Sequence, residues 1–132
     1  MGGRAAAAAD TGVERIAEMS RFIVKIKDKY LEWSSIVDAP VTFGMTLDEL
    51  KGYIKEEYGR EGMRELDKRL ERVERTGAST IYEKSVDSVV SCNRAGPNES
   101  HLTLEEIYQA YCLMQPIRDG WKVPVGVEDD PA

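Results

Sequence analysis

The chain has 132 residues, of which 42% are hydrophobic and 32% are charged, and its formal net charge is −6. This composition is that of one globular domain and excludes a disordered chain, because enough apolar side chains are present to form a core. The negative charge argues against a general nucleic-acid binder, which needs surplus lysine and arginine to neutralise phosphates. It argues equally against binding to an anionic membrane.

The first residues of the chain are low in complexity. Residues 1–18 contain an alanine-rich run, which favours helix but can bury little surface, so they are predicted to be a flexible extension without function. The codons for residues 13–15 can spell a bacterial ribosome-binding sequence just before Met19. Met19 is therefore an alternative to Met1 as the first residue, and this interpretation favours a bacterial or phage protein.

The rest of the chain is predicted to be a single domain, residues 19–126, followed by a solvated acidic tail, residues 127–132. No apolar run reaches the roughly 18 residues of a membrane span, and no signal-peptide core is present. The protein is therefore expected to be cytoplasmic and to have no membrane partner. Cys92 and Cys112 adjoin apolar residues without metal-ligand spacing, so both are expected to be buried, reduced thiols.

An alternation of apolar and polar residues begins the domain and predicts a β-hairpin. Residues 21–26 form its first strand, residues 27–29 its turn and residues 30–37 its second strand. Asp38-Ala39-Pro40 is expected to end the second strand, because proline cannot donate to the ladder. Residues 121–125 alternate again and suggest a C-terminal edge strand beside the hairpin.

Two hexamers, Met45–Leu50 and Leu102–Ile107, each carry a complete helix-start pattern. In each hexamer a threonine can cap the first turn, and the glutamate three residues later can bond back to it, which is a capping box. They predict helices that begin at Thr46 and Thr103.

The sequence pattern predicts three or four helices in all. They are residues 46–58, 60–75, 85–92 and 103–114. Gly59 and Gly77 end the first two, and Gly52 suggests close packing or a bend inside the first. The predicted fold class is therefore α+β, with a small antiparallel sheet packed on one face against these helices.

The polar loop at residues 92–101 resembles a site more than any other stretch, because it contains a thiol, two amides, a guanidinium, a carboxylate and the single histidine. Its candidate ligand-binding residues are Asn93, Arg94, Asn98, Glu99 and His101. Cys92 with His101 is the candidate catalytic pair, which requires the imidazole within hydrogen-bond reach of the thiol. The alternative is a structural loop of turns. No ligand spacing for a metal site is present.

The second predicted helix is rich in charged residues. Its basic residues Arg64, Lys68, Arg72 and Arg75 form a candidate partner surface, for another protein or for a second copy of this chain as a homodimer. The alternative is a helix that buries its apolar stripe in its own core. Basic residues on the first strand suggest single-stranded nucleic acid more weakly, and the negative net charge argues against it.

Four tyrosines at helical spacing are candidates for a pocket between sheet and helices, or for the core; they are Tyr53, Tyr58, Tyr108 and Tyr111. The sequence contains no Gly-rich phosphate loop, GxSxG or HExxH motif. It therefore favours a non-enzymatic interaction or regulatory protein that acts by protein–protein binding and uses no cofactor. The alternatives are a binder of a small anion or nucleotide-like ligand through the 92–101 loop, and an enzyme that uses Cys92 and His101.

Overall fold

A sheet of three antiparallel strands lies at the centre of the fold. The computed structural model describes residues 21–80 and 85–124. Strands β1 (Arg21–Ile26) and β2 (Lys29–Ser34) form a hairpin in which Ile23 is opposite Glu32. A short strand β3 (Ala39–Pro40) pairs with the other edge of β2. The predicted hairpin is confirmed, but its second strand ends at Ser34 rather than at residue 37, and Ala39–Pro40 forms a strand instead of ending one.

The third strand is not the one that the C-terminal alternation suggested. Residues 121–124 have no strand structure, and Val125 lies outside the described residues. The other edge of β1 is covered instead by the chain near Ala78, because Lys25 N donates to Gly77 O at 2.9 Å and Ser79 N donates to Ile23 O at 2.8 Å. The edge of β1 is therefore not open to the C-terminal segment.

One face of the sheet is covered by the long helix α1 (Leu47–Thr76). Its capping box is formed by Thr46 and Glu49, as predicted, and Gly77 caps its other end with a φ of 95°. Gly59 has non-helical angles (φ 67°, ψ −153°) and divides α1 at the predicted position. This face of the core comprises Ile23, Tyr30, Leu50, Ile54, Leu66 and Val73.

Gly52 does not mark close packing. A Cβ added at this position would meet no atom within 4 Å, so the glycine lies on the open side of α1. The bend in α1 belongs to Gly59 instead, where the positive φ is a conformation that favours glycine.

The opposite face of the sheet is covered by two short helices, α2 (Val86–Val90) and α3 (Leu104–Ile107), and by the C-terminal segment. The predicted capping box of Thr103 and Glu106 is present, and α3 continues as a π-helical turn (Tyr108–Cys112) rather than as a regular helix. Phe22, Val24, Ile26, Leu31 and Trp33 face Val89, Leu102, Ile107 and Ala110 in this layer. The α+β class is confirmed, with the correction that both faces of the sheet are covered.

Three predicted segments lie outside the described residues: the extension at 1–18, the alternative start at Met19 and the acidic tail at 127–132. Among the residues that are described, no helix combines the length and the apolar character needed to span a bilayer.

Candidate functional site

A cleft of about 490 Å³ lies between four segments of the chain. The turn into β3, the 92–101 loop, the π-helical turn after α3 and the C-terminal segment each contribute part of its lining. We call it the Arg94 cleft; its apolar lining is Val37, Ala39, Pro40, Ala95, Gly96, Tyr111, Trp121, Val123 and Pro124, and its charged lining is Arg94 and Glu99. Nine of the eleven lining residues are apolar in type, and the volume lies within the roughly 300–1,000 Å³ of ligand sites.

Asn93 fixes the loop that carries Arg94. Its Nδ2 donates to Val90 O and to Leu102 O, both at 2.7 Å. Its Oδ1 accepts from Leu102 N at 2.9 Å and from Ala95 N at 3.1 Å. These four bonds use the whole hydrogen-bonding capacity of a buried amide. Asn93 is therefore a structural residue with no capacity left for a ligand, contrary to its predicted role.

Two neighbouring contacts fix the shape of the cleft. A Cβ on Gly96 would lie 2.7 Å from both Leu102 Cδ2 and Ser100 Oγ, so the loop requires glycine at this close approach. Tyr111 donates its hydroxyl to Ala95 O at 2.8 Å, and burial raises the pKa of Tyr111 to about 12. The apolar lining is thus held by the core of the fold.

Arg94 connects two carboxylates beside the cleft. Its Nε lies 3.4 Å from Asp38 Oδ2, and its Nη1 donates to Glu99 Oε1 at 3.2 Å. The side chains of Arg94, Asp38 and Glu99 are 47%, 35% and 76% exposed. Exposed pairs of this kind contribute about 0–1 kcal/mol each, so a group from another molecule can replace either of them at small cost.

The remaining candidate ligand-binding residues do not line the cleft. Asn98 is exposed in a 3₁₀ turn (Pro97–Glu99) and takes a φ of 57°. His101 is also exposed, with its Nδ1 3.5 Å from Asn93 Nδ2. Of the five predicted residues, the structure places Arg94 and Glu99 at the cleft and separates the other three from it.

The candidate catalytic pair is not brought together. Cys92 is exposed, contrary to the predicted burial, and its Sγ lies 3.9 Å from Ser88 O and 3.8 Å from Ser91 Oγ. No hydrogen bond joins Cys92 to His101, although both belong to the described part of the chain. Cys112 is buried as expected, and burial raises the pKa of its thiol to about 11.

The candidate partner surface of Arg64, Lys68, Arg72 and Arg75 lies on the second half of α1. Arg64 Nη2 pairs with Glu61 Oε2 at 2.7 Å, and Arg72 Nε donates to Ser79 O at 2.9 Å, which helps to hold the chain after α1. The apolar residues of the same helix half, Leu66 and Val73, are buried against the sheet. A partner role for this surface stays a prediction.

Two lysines of the hairpin pair with carboxylates of the same chain. Lys25 Nζ lies 3.7 Å from Glu74 Oε2, and Lys27 Nζ lies 3.0 Å from Glu105 Oε1. Such pairing reduces the positive potential that phosphates would meet.

A buried carboxylate was missed in the sequence. Glu32 is fully buried and accepts hydrogen bonds from the hydroxyls of Tyr58, at 2.5 Å, and of Tyr53, while Arg21 Nη1 lies 3.4 Å away. Burial and the nearby charge of Glu32 raise the pKa of Tyr53, and they raise the pKa of Tyr58 to about 12. Of the four candidate pocket tyrosines, Tyr111 alone lines the cleft.

Glu32 could have been recognised only from the pairing register. Once Ile23 is opposite Glu32, the carboxylate must share the face of the sheet that α1 covers. A buried charge needs partners, and the tyrosines of α1 provide them. The cluster therefore fixes the first half of α1 on the sheet.

Within residues 21–80 and 85–124, no group of three or more histidine, cysteine, aspartate or glutamate side chains is arranged to hold a metal ion. Comparisons with protein-family models, with curated proteins and with solved structures found no match to this chain.

Proposed function

We propose that this protein is a non-enzymatic interaction protein that binds a peptide segment of a partner protein in the Arg94 cleft. The observation that supports the proposal is the composition of the cleft, in which nine apolar residues and two charged ones come from four separate segments. A centre of apolar and aromatic side chains with polar groups at its edge is the usual anatomy of a protein interface.

Two exposed or partly exposed apolar side chains in or next to the lining segments also favour a protein partner. Ile36 is 65% exposed and directly precedes Val37, a residue of the cleft lining. Trp121 is partly exposed within the lining, and tryptophan is among the residues that most often dominate binding energy.

A small anion or nucleotide-like ligand held by Arg94 is the less favoured alternative. The guanidinium of Arg94 already faces two carboxylates, those of Asp38 and Glu99, so this set of three side chains carries a net charge of about −1. An anion would have to displace a carboxylate and then lie beside it.

The proposal is tested by photo-crosslinking in a lysate of the source organism. The photoreactive residue p-benzoylphenylalanine is placed at Glu99 beside the cleft and, in a second protein, at Lys68 on the exposed face of α1. We expect a partner protein to be crosslinked from position 99 and not from position 68. The reverse pattern would contradict the cleft and support the surface on α1.

Affinity for the crosslinked partner gives the second measurement. We expect Trp121→Ala to weaken binding by about tenfold or more, as for a central aromatic residue of an interface. Leu113→Ala is the matched control, because Leu113 is 44% exposed and does not line the cleft. Equal affinities for the two variants would argue against the proposal.

A further inference from the structure

The charges beside the Arg94 cleft indicate the chemistry of the group that a partner brings to it. We infer that Asp38 and Glu99 form a subsite for a basic side chain, that Arg94 occupies this subsite in the free protein, and that a lysine or arginine of the partner segment replaces it. The inference rests on the proposed function, because it names the partner chemistry for the same cleft.

The net charge of Asp38, Glu99 and Arg94 favours a positively charged group from the partner. Two carboxylates face one guanidinium, so the subsite keeps an excess of about one negative charge after Arg94 is counted. Arg94 contacts Asp38 through Oδ2 and Glu99 through Oε1, and the side chains of Asp38 and Glu99 are 35% and 76% exposed. Both carboxylates thus have capacity for a further donor, and a cation satisfies their charge as well.

The apolar lining suits the rest of a basic side chain. Lysine and arginine carry aliphatic stems that pack on apolar surface while the charged end stays in contact with water. Val37, Trp121 and Val123 line the same cleft as Glu99. A cation over the indole of Trp121 would gain a further cation–π attraction.

Replacement of the Arg94 side chain requires no movement of its backbone. Arg94 N donates to Asp38 O at 2.8 Å, and the adjoining Asn93 is buried and fully hydrogen-bonded. The guanidinium itself is held through exposed pairs, which contribute little. The side chain can therefore leave the carboxylates while the loop keeps its shape.

A partner that brings a carboxylate and a partner that brings a cation predict opposite effects of Arg94→Gln on binding. If the partner brought a carboxylate, Arg94 would bind it directly and Arg94→Gln would weaken binding. If the partner brings a cation, Arg94→Gln removes its competitor and strengthens binding, whereas Glu99→Gln weakens it. The direction of the Arg94→Gln effect thus separates the two chemistries.

The experiment uses the full chain and three peptide probes: acetyl-Leu-Lys-Leu-amide and its counterparts with glutamine or glutamate in place of lysine. Binding is followed by NMR through the Trp121 indole N–H and the Gly96 amide. We expect the lysine probe to bind best, with an affinity raised about two- to five-fold by Arg94→Gln and lowered about two- to five-fold by Glu99→Gln. Lys27→Gln and Glu105→Gln make the same charge changes in an exposed pair that does not line the cleft, and both should leave the affinity unchanged.

The outcomes separate this inference from the proposed function. The glutamate probe could bind more tightly than the lysine probe, or the Trp121 and Gly96 signals could give the same affinity for all three probes. Either result would contradict a subsite for a basic side chain, while the cleft would remain a peptide-binding site. Crosslinking from position 68 alone, with no probe shifting the Trp121 and Gly96 signals, would overturn both.

Discussion

Tyr58 donates its phenolic hydroxyl to Glu32 Oε2 at 2.5 Å and so connects the end of the first half of α1 to the middle of β2. Glu32 is buried, and Gly59 breaks the helix at the next residue after Tyr58. A carboxylate without donors would be costly at this depth, so the tyrosines of α1 make its burial tolerable. The position of α1 on the sheet depends on a polar contact as well as on the apolar stripe.

Removal of this hydroxyl should destabilise the fold. We expect Tyr58→Phe to lower the free energy of unfolding by about 1.5–3 kcal/mol, because it takes a donor from a buried charged acceptor. Tyr108→Phe is the matched control, since the Tyr108 hydroxyl donates to the exposed Asp28 at 2.9 Å, and its effect should stay within about 0.5 kcal/mol. Urea unfolding measures both, and equal losses would contradict a special role for the buried contact.

Local features of this fold could be predicted from the sequence because their determinants lie within a few residues. The two capping boxes join each threonine to a glutamate three residues later, and Gly59 and Gly77 act through their own backbone angles. Each of these was placed correctly. The hairpin was found for a similar reason, since the alternation of residues 21–26 shows within one strand.

The contacts that could not be predicted join distant residues. The bonds from Tyr53 and Tyr58 to Glu32 span 21 and 26 residues, so no local pattern marks Glu32 as buried. The cleft has the same property: Arg94 and Glu99 were identified from their loop, but most of the apolar lining comes from other segments of the chain. Asn93 was misassigned because its neighbours in the fold, rather than its residue type, determine its role.

A substitution at Asn93 should destabilise the fold even when it keeps the size of the side chain. In Asn93→Asp a carboxylate oxygen replaces the amide nitrogen that donates to Val90 O and Leu102 O, so a buried charge faces two carbonyls. We expect a loss of at least about 2 kcal/mol of unfolding free energy. Asn98→Asp is the control, because Asn98 is exposed and aspartate also tolerates its positive φ. Similar thermal midpoints for the two variants would refute this structural role.

Two glycines of α1 offer a second matched comparison. Neither Gly52 nor Gly59 has an atom within 4 Å of an added Cβ, so alanine acts at both positions through the backbone alone. At Gly52 we expect alanine to stabilise the fold by about 0.5–1 kcal/mol, since the site is helical. At Gly59, with φ 67° and ψ −153°, we expect a loss of about 1–3 kcal/mol. Urea unfolding measures both variants. If alanine stabilised the fold at both positions, α1 would be able to straighten at Gly59 without a cost in free energy.

Stability should fall at alkaline pH, and Cys112 should begin the decline. Burial raises the pKa of its thiol from 9.0 to about 11, and burial raises the pKa values of Tyr58 and Tyr111 to about 12. A group with a raised pKa in the folded state stabilises fully below its unfolded pKa, and this contribution is lost as pH rises to the folded value. The window is therefore pH 9 to 11 for Cys112 and pH 10 to 12 for the two tyrosines.

The test is the dependence of unfolding free energy on pH between about 8 and 10, where one group contributes at most about 1.4 kcal/mol per pH unit. Cys112→Ala should lower stability at pH 8 by leaving a small void, yet it should flatten the decline from pH 9 upward. Cys92→Ala removes an exposed thiol, which meets water in both states, and should leave the slope unchanged. An unchanged slope in Cys112→Ala would contradict the role of this thiol, because the two tyrosines contribute only from about pH 10 upward.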